Sequence, residues 1–130
     1  TDIALKAFKS ILAFVNEGTL VHAQSLLTLI CEETELSDEF LCQIIKQTRG
    51  HEPSAVPQPG DSCDDKCVNA WLLLTIAVLN ITPTDELLPY LCGHLYEVAL
   101  NCQSQLGEPI QEWLLERVQY CMRLLQRRHA

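Results

Sequence analysis

Two cysteines at a spacing of four, Cys63 and Cys67, are the residues that most resemble part of a metal site, with His51 and several aspartates nearby. A structural zinc site normally uses a second ligand pair at a defined spacing, and the sequence shows none. A catalytic Cys–His pair has no better support, because no nucleophile motif surrounds any of the seven cysteines or four histidines. No Gly-rich phosphate loop is present either. We therefore predict no catalytic residue, no metal site and no cofactor.

Adjacent carboxylates at Asp38 and Glu39 could in principle serve as a general acid and base. On a helix, however, neighbouring side chains diverge by about 100° and cannot converge on one substrate. We interpret both as acceptors at a helix start and as polar partners for Lys46 or a neighbouring helix. Gln43, Lys46 and Gln47 follow at turn spacing, which favours a polar network within the domain over a ligand site.

The one basic region of the sequence is its last segment. Residues 110–130 carry four arginines and two glutamates, whereas residues 50–109 carry one lysine and eight acids. The arginines suit a solvated helix end, where cations complement the helix dipole. The other interpretation is a contact with an acidic filament or partner, which needs such a patch. The residues concerned are Arg117, Arg123, Arg127 and Arg128.

Composition narrows the classes of function further. The formal net charge of −8 argues against nucleic-acid binding, because an acidic body repels phosphates. The longest nearly apolar run, residues 70–81, is shorter than the roughly 20 residues a bilayer span needs, so no membrane insertion is expected. An odd number of cysteines, mostly set singly among apolar residues, indicates reduced and mostly buried thiols in a cytoplasmic protein.

The elements that must position these side chains are all helical. Apolar residues recur at helical spacing, and no segment alternates as a strand would. Trp71 lies in the most apolar segment and Trp113 shares a stripe with Leu114, so we assign both to the core. The sequence thus predicts an all-α, compact bundle of about six helices around a central apolar helix. The predicted helices span roughly residues 2–17, 19–32, 36–49, 64–81, 84–101 and from 109 onward.

Three local predictions follow from the same patterns. Phe8 and Leu20 fall on the predicted buried stripes of the first and second helices. Thr84 is the predicted N-cap of the fifth helix, with acids in its first turn. Pro89 should kink that helix or delay its regular start.

Three ordered blocks resemble one known family. Residues 36–48, Leu-Ser-Asp-Glu-Phe-Leu-Cys-Gln-Ile-Ile-Lys-Gln-Thr, resemble the signature of the myosin tail homology 4 domain. Residues 70–74, Ala-Trp-Leu-Leu-Leu, and residues 81–91, Ile-Thr-Pro-Thr-Asp-Glu-Leu-Leu-Pro-Tyr-Leu, resemble its next two motifs in the same order. The motif residues, interpreted as mostly structural, are Asp38, Glu39, Gln43, Lys46, Gln47, Trp71, Pro83, Leu87, Leu88 and Tyr90.

The resemblance implies a helical interaction domain in the tail of an unconventional myosin or a related motor or adaptor protein. Residues 1–130 would form one such domain, and the lack of the family's closing motif is consistent with trimming at the C-terminal end. In this family the domain packs on an adjacent FERM domain and helps bind cargo peptides, so protein partners, a cytoskeletal location and no enzymatic activity are expected. Microtubule binding through the C-terminal arginines is the alternative. Neither the cargo nor the oligomeric state follows from the sequence.

Overall fold

The computed structural model describes residues 2–50, 63–104 and 107–129, with the backbone alone at residues 50, 63, 64, 128 and 129. Within these ranges the fold is all-α, with no β-strand, as the sequence predicts. A 3₁₀ turn, Thr34–Leu36, leads into the third helix. The helices are α1 (Asp2–Glu17), α2 (Leu20–Glu32), α3 (Ser37–Gly50), α4 (Cys63–Asn80), α5 (Leu88–Gln103) and α6 (Pro109–His129).

Helix α4 lies at the centre of the bundle and packs against α1, α3 and α6. Because the segment from Ala70 to Ile81 is apolar nearly all round, it can bury side chains in several directions at once. Trp71 is 1 % exposed and Leu74 is fully buried, which confirms the prediction of a surrounded apolar helix. Around it, α1 pairs with α2 and α5 pairs with α6.

The tight connection between α1 and α2 depends on Gly18. Its φ of +71° lies in the left-handed region that side chains other than glycine rarely adopt. The Gly18 N–H donates to the Phe14 carbonyl at 2.7 Å, which closes the end of α1. Asn69 of α4 packs against this turn and donates from Nδ2 to the Val15 carbonyl at 3.0 Å. The end of α1 is therefore tied directly to the central helix.

Two predicted core positions are wrong. The buried residues of α1 are Ala7, Ile11, Phe14 and Val15, and Phe8 is exposed. Leu20, the first residue of α2, is 69 % exposed because the apolar stripe that meets the bundle begins one turn later at Ala23. In both helices the apolar residues outnumber the positions that the neighbouring helices cover, so periodicity alone cannot choose among them.

Helix α5 begins later than predicted. Thr84 is not its N-cap, because the helix starts at Leu88 with Pro89 in its first turn. Proline is favoured there, since the first helical N–H groups have no intrahelical partner. Thr84 instead opens the preceding turn, and its carbonyl accepts the N–H groups of Leu87 at 3.1 Å and Leu88 at 2.9 Å. Of the two effects considered for Pro89, the delayed start is the one observed.

Candidate functional site

The first sequence motif joins the start of α3 to the turn before α5. Asp38 accepts the Thr84 N–H on Oδ1 at 3.2 Å, and its Oδ2 accepts the Thr84 hydroxyl in a short hydrogen bond. The Thr84 Oγ1 in turn accepts the Leu87 N–H at 3.3 Å. Pro83, beside it, is buried. Asp38 thus finds its partner in the α4–α5 connection rather than in Lys46, while Glu39 and Lys46 are exposed.

An open groove of about 360 Å³ lies beside this contact. The 3₁₀ turn and the ends of α2 and α4 enclose it, and the Asp38–Thr84 pair lies in its wall. Cys31, an exposed free thiol, also lines the groove. The two carboxylates of the groove are Asp38, which is already hydrogen-bonded to Thr84, and the exposed Glu35. This pair is poorly suited to concerted acid–base chemistry.

The three motifs meet in an aromatic and polar cluster that is buried at Trp71, Thr48 and His94 and exposed at Arg49 and Tyr90. We call these five residues the His94 cluster. The His94 ring stacks on Trp71, with 5.6 Å between ring centroids and 15° between planes. His94 Nε2 lies 2.8 Å from Thr48 Oγ1, and Arg49 Nε donates to His94 Nδ1 at 3.4 Å. The Arg49 guanidinium also lies over the Tyr90 ring, 5.2 Å from its centroid. The cluster fastens α3, α4 and α5 to one another.

Hydrogen-bond donors fix the tautomer of His94. The Thr48 hydroxyl donates its one proton to the Ile45 carbonyl at 2.6 Å, so toward His94 it can only accept. His94 Nε2 therefore carries the proton, and Nδ1 offers the lone pair that receives the Arg49 N–H. Both ring nitrogens of the neutral imidazole are satisfied.

The same surroundings disfavour the imidazolium. Burial, followed by the nearby Arg49 charge, lowers the pKa of His94 from 6.5 to about 4, against a smaller opposing effect of Glu97. A second proton would have to sit on Nδ1, directly facing the guanidinium. His94 is thus a neutral structural side chain at physiological pH and a poor general acid.

The polar residues of α3 do not close into one network. Gln43 is half-buried, and its Oε1 atom is buried without a hydrogen-bond partner in the described part of the chain. Gln47 is half-buried and Lys46 is exposed. The polar partners that α3 does use are Asp38 near its start and Thr48 and Arg49 near its end.

The predicted basic region lies along α6. Arg117 is half-buried, with its guanidinium 5.6 Å from the centroid of the Trp113 ring, and its Nε is buried without a hydrogen-bond partner among the described residues. Arg123 and Arg127 are exposed and share a helix face with Tyr120, while Arg128 lies outside the described side chains. A shallow groove of about 210 Å³ runs between Glu116, Arg117 and Arg123. Glu116 reduces the positive charge of this groove.

The sequence-level metal and thiol candidates cannot be placed. His51 and the Cys63 side chain lie outside the described residues. Within the described ranges, no three His, Cys, Asp or Glu side chains lie together as a metal site would require. Of the six described cysteines, all free thiols, Cys67, Cys102 and Cys121 are buried, Cys42 is half-buried, and Cys31 and Cys92 are exposed. No helix in the described part of the chain is both long and apolar enough to span a bilayer.

Sequence reasoning missed the His94 cluster. The motifs include Trp71, Tyr90 and Thr48, but they assign no role to His94 or Arg49 and do not connect them to Thr48. One signal is present in the sequence: His94 lies three residues after Leu91, which lies four residues before Leu95, on the buried stripe of α5. A histidine at such a position needs polar partners, and the polar end of α3 could have supplied them.

Comparison with known proteins agrees with the motifs. The family model described as the MyTH4 domain matches residues 23–130. Human unconventional myosin-XVB is 26 % identical over 126 residues, an alignment that covers 92 % of this chain and 4 % of that protein. The chain therefore corresponds to a small part of that relative's length. No solved structure matches significantly. The motifs, the helical fold and the match over most of its length place the chain in the MyTH4 domain family.

Proposed function

We propose that this MyTH4 domain is a non-catalytic protein-interaction module of a cytoskeletal motor tail, which binds cargo or packs on an adjacent FERM-type domain. Membership of the family and similarity to part of an unconventional myosin support this role. In this proposal the domain acts in the cytoplasm, at the cytoskeleton, and its partners are proteins.

The observation that carries the proposal is the number of large apolar side chains on the outside of the bundle. Leu20 is 69 % exposed, Tyr96 59 % and Leu5 52 %. Scattered exposed apolar residues are ordinary, whereas a contiguous apolar patch marks a surface that partners cover. The proposal is that these side chains belong to such surfaces, which the crosslinking experiment below tests position by position. The acidic charge suits protein partners better than phosphate backbones.

Site-specific photocrosslinking in the full-length parent protein tests this proposal. A photoreactive phenylalanine at Leu20, Tyr96 or Leu5 should yield crosslinks to protein segments outside the domain, because these positions lie under a partner. The matched control places the same residue at Lys9, an exposed charged position on α1. If the apolar positions crosslink no more than Lys9 does, the proposal is wrong.

A second candidate function is microtubule binding through α6. The observation that favours it is the exposure of Arg123 and Arg127 on one face with Tyr120, which can meet an acidic filament surface. Against it, Glu116 lies in the same groove and the domain as a whole carries a net charge of −8.

Co-sedimentation with microtubules at low and high salt decides between the two. The filament hypothesis predicts pelleting at low salt that falls with ionic strength and is lost in the Arg123→Glu, Arg127→Glu variant. The matched control is Lys6→Glu, Lys9→Glu, which removes two exposed bases from α1 instead. Absence of pelleting at low salt excludes this function for the isolated domain.

A further inference from the structure

The outer face of α5 carries an apolar line that the bundle does not use. Pro89, Gly93, Tyr96 and Leu100, here named the α5 seam, are all exposed. Tyr96 is 59 % and Leu100 48 % exposed. They follow one another at spacings of four, three and four, which is the repeat of a coiled-coil seam. The seam faces away from the buried stripe of Leu91 and Leu95, where a solvated helix would normally carry charged side chains.

Gly93 is the residue of the seam that most needs an explanation. It lies inside α5 with an ordinary helical backbone, not in the left-handed region. A Cβ atom built at this position would meet none of the described atoms within 4 Å, so no packing in that part of the domain requires a glycine. Glycine is among the least favourable residues in a helix interior. The absent side chain is therefore best explained by something outside the domain that approaches α5 closely.

A partner helix fits this geometry. The space next to the Gly93 Cα atom is open. Tyr96 and Leu100 are large, exposed apolar side chains one turn and two turns further along the helix. A second helix laid along the seam could bring its backbone close at Gly93 while its apolar residues pack between Tyr96 and Leu100. The pattern is that of a helix docking on a helix.

Charge indicates which kind of helix. Residues 67–116 contain six acids and neither lysine nor arginine, and α5 lies wholly within this stretch. Glu97 is exposed beside the seam and Glu86 is exposed in the turn before it. Arg49 reaches the neighbouring Tyr90 ring, at the edge of this face. Arg49 also shares a groove with Glu97 and offsets part of this negative charge, so the surround is acidic on balance. An apolar centre with such a surround complements an apolar stripe flanked by lysine or arginine.

We propose that the α5 seam is the docking site for an amphipathic helix of a protein partner, with an apolar stripe flanked by basic residues. This rests on the proposed interaction function and names the chemistry of the partner. The partner helix packs against Tyr96 and Leu100, comes closest at Gly93, and places its basic flanks toward Glu86 and Glu97.

Two synthetic helical peptides test the proposal on the 130-residue chain. Both carry the same Leu/Ala stripe, and one has Lys flanks while the other has Glu flanks. We expect the Lys peptide to bind at least about tenfold more tightly by fluorescence anisotropy, and less tightly as salt rises. Amide chemical-shift changes should centre on Gly93, Tyr96 and Leu100. Equal binding of the two peptides, or shifts centred on another helix, would overturn the proposal.

Variants separate docking from folding. Gly93→Gln places a side chain at this open position and is a better helix former than glycine. The variant should therefore bind the Lys peptide about tenfold or more weakly, while its melting temperature does not fall. Leu100→Glu should weaken binding similarly, and Leu20→Glu, the same change at a more exposed leucine on α2, should leave it unchanged. Unimpaired binding by Gly93→Gln would refute the seam as the site.

Two further outcomes are informative. If the wild-type domain self-associates in analytical ultracentrifugation and Gly93→Gln abolishes this, the seam belongs to a second copy and the proposal is wrong. If the peptide tests show no binding at the α5 seam while crosslinks from Leu5 or Leu20 are still found in the parent protein, the interaction function stands. Only its placement on α5 is then wrong.

Discussion

The two faces of α5 differ in how completely the bundle explains them. On the inner face, Leu91 and Leu95 are fully buried, and His94 has a partner for each ring nitrogen and a stacked Trp71. On the outer face, Tyr96 and Leu100 are exposed, and a Cβ atom built at Gly93 would meet no described atom within 4 Å. His94 on the inner face therefore has a structural reason, whereas the described part of the domain supplies none for the glycine at position 93. The motif residue Trp71 thus contributes to the fold, and the proposed interaction surface lies on the face that the fold leaves unexplained.

The largest expected effect tests the inner side of this comparison. Trp71→Ala should lower the free energy of unfolding by about 3–5 kcal/mol, because it removes a buried ring and leaves a cavity beneath His94. Urea denaturation measures the change, and Tyr96→Ala on the outer face is the control, expected within about 0.5 kcal/mol of wild type. A loss below about 1 kcal/mol for Trp71→Ala would contradict its role in the core.

The next effect is a pH dependence that belongs to His94. Its pKa falls from 6.5 to about 4 on folding, so between these values the unfolded chain binds a proton that the folded domain does not. The contribution of neutral His94 to the free energy of unfolding is therefore fully present above about pH 6.5. It is lost as the pH falls toward 4, and the loss is on the order of 2–3 kcal/mol.

Denaturation across that pH range measures this effect. His94→Gln should remove the slope due to this histidine, although it lowers stability at neutral pH by disturbing the stacked cluster. Leu95→Val, a buried change on the same helix that removes no titratable group, should lower stability without altering the slope and serves as the control. An unchanged slope in His94→Gln would mean that the histidine is not held neutral in the folded domain.

A smaller effect concerns the connection that leads into α5. Asp38→Ala should lower the free energy of unfolding by about 1–2 kcal/mol, because the Thr84 N–H and hydroxyl both lose a charged acceptor. A double-mutant cycle with Thr84→Val isolates the pair, and the two changes should be clearly less than additive. Glu39→Ala is the control, since Glu39 is adjacent but exposed. Full additivity would show that Asp38 stabilises the fold through something other than Thr84.

The helices and the central position of α4 were predictable because apolar periodicity is strong where several helices cover one segment. Phe40, Leu41, Ile44 and Ile45 are all fully buried, as their spacing predicts. Leu20 was misplaced because burial at a helix end depends on where the neighbouring helix stops, which periodicity does not encode.

The His94 cluster and the α5 seam could be recognised only from the three-dimensional structure. His94 and Thr48 are separated by 46 residues in sequence, so only the packing of α5 against α3 brings them together. Gly93 is unusual only because the space that a side chain at this position would enter is open, which the sequence does not reveal. A residue pattern can thus identify which side chains are buried, but not which exposed positions lack a structural reason.

The smallest predicted change tests the outer face and has the opposite sign from the others. Gly93→Ala should raise the free energy of unfolding by about 0.5–1 kcal/mol, because alanine reduces the conformational freedom of the unfolded chain and meets no atom in the folded domain. Urea denaturation with a matched Glu97→Ala control, at the next turn of the same exposed helix surface, measures it. A loss of stability would show that Gly93 has a packing role inside the domain, which would remove the argument for a close-approaching partner. A gain means that the domain retains a glycine which weakens its own fold at the centre of the α5 seam, as expected if a partner helix needs that space.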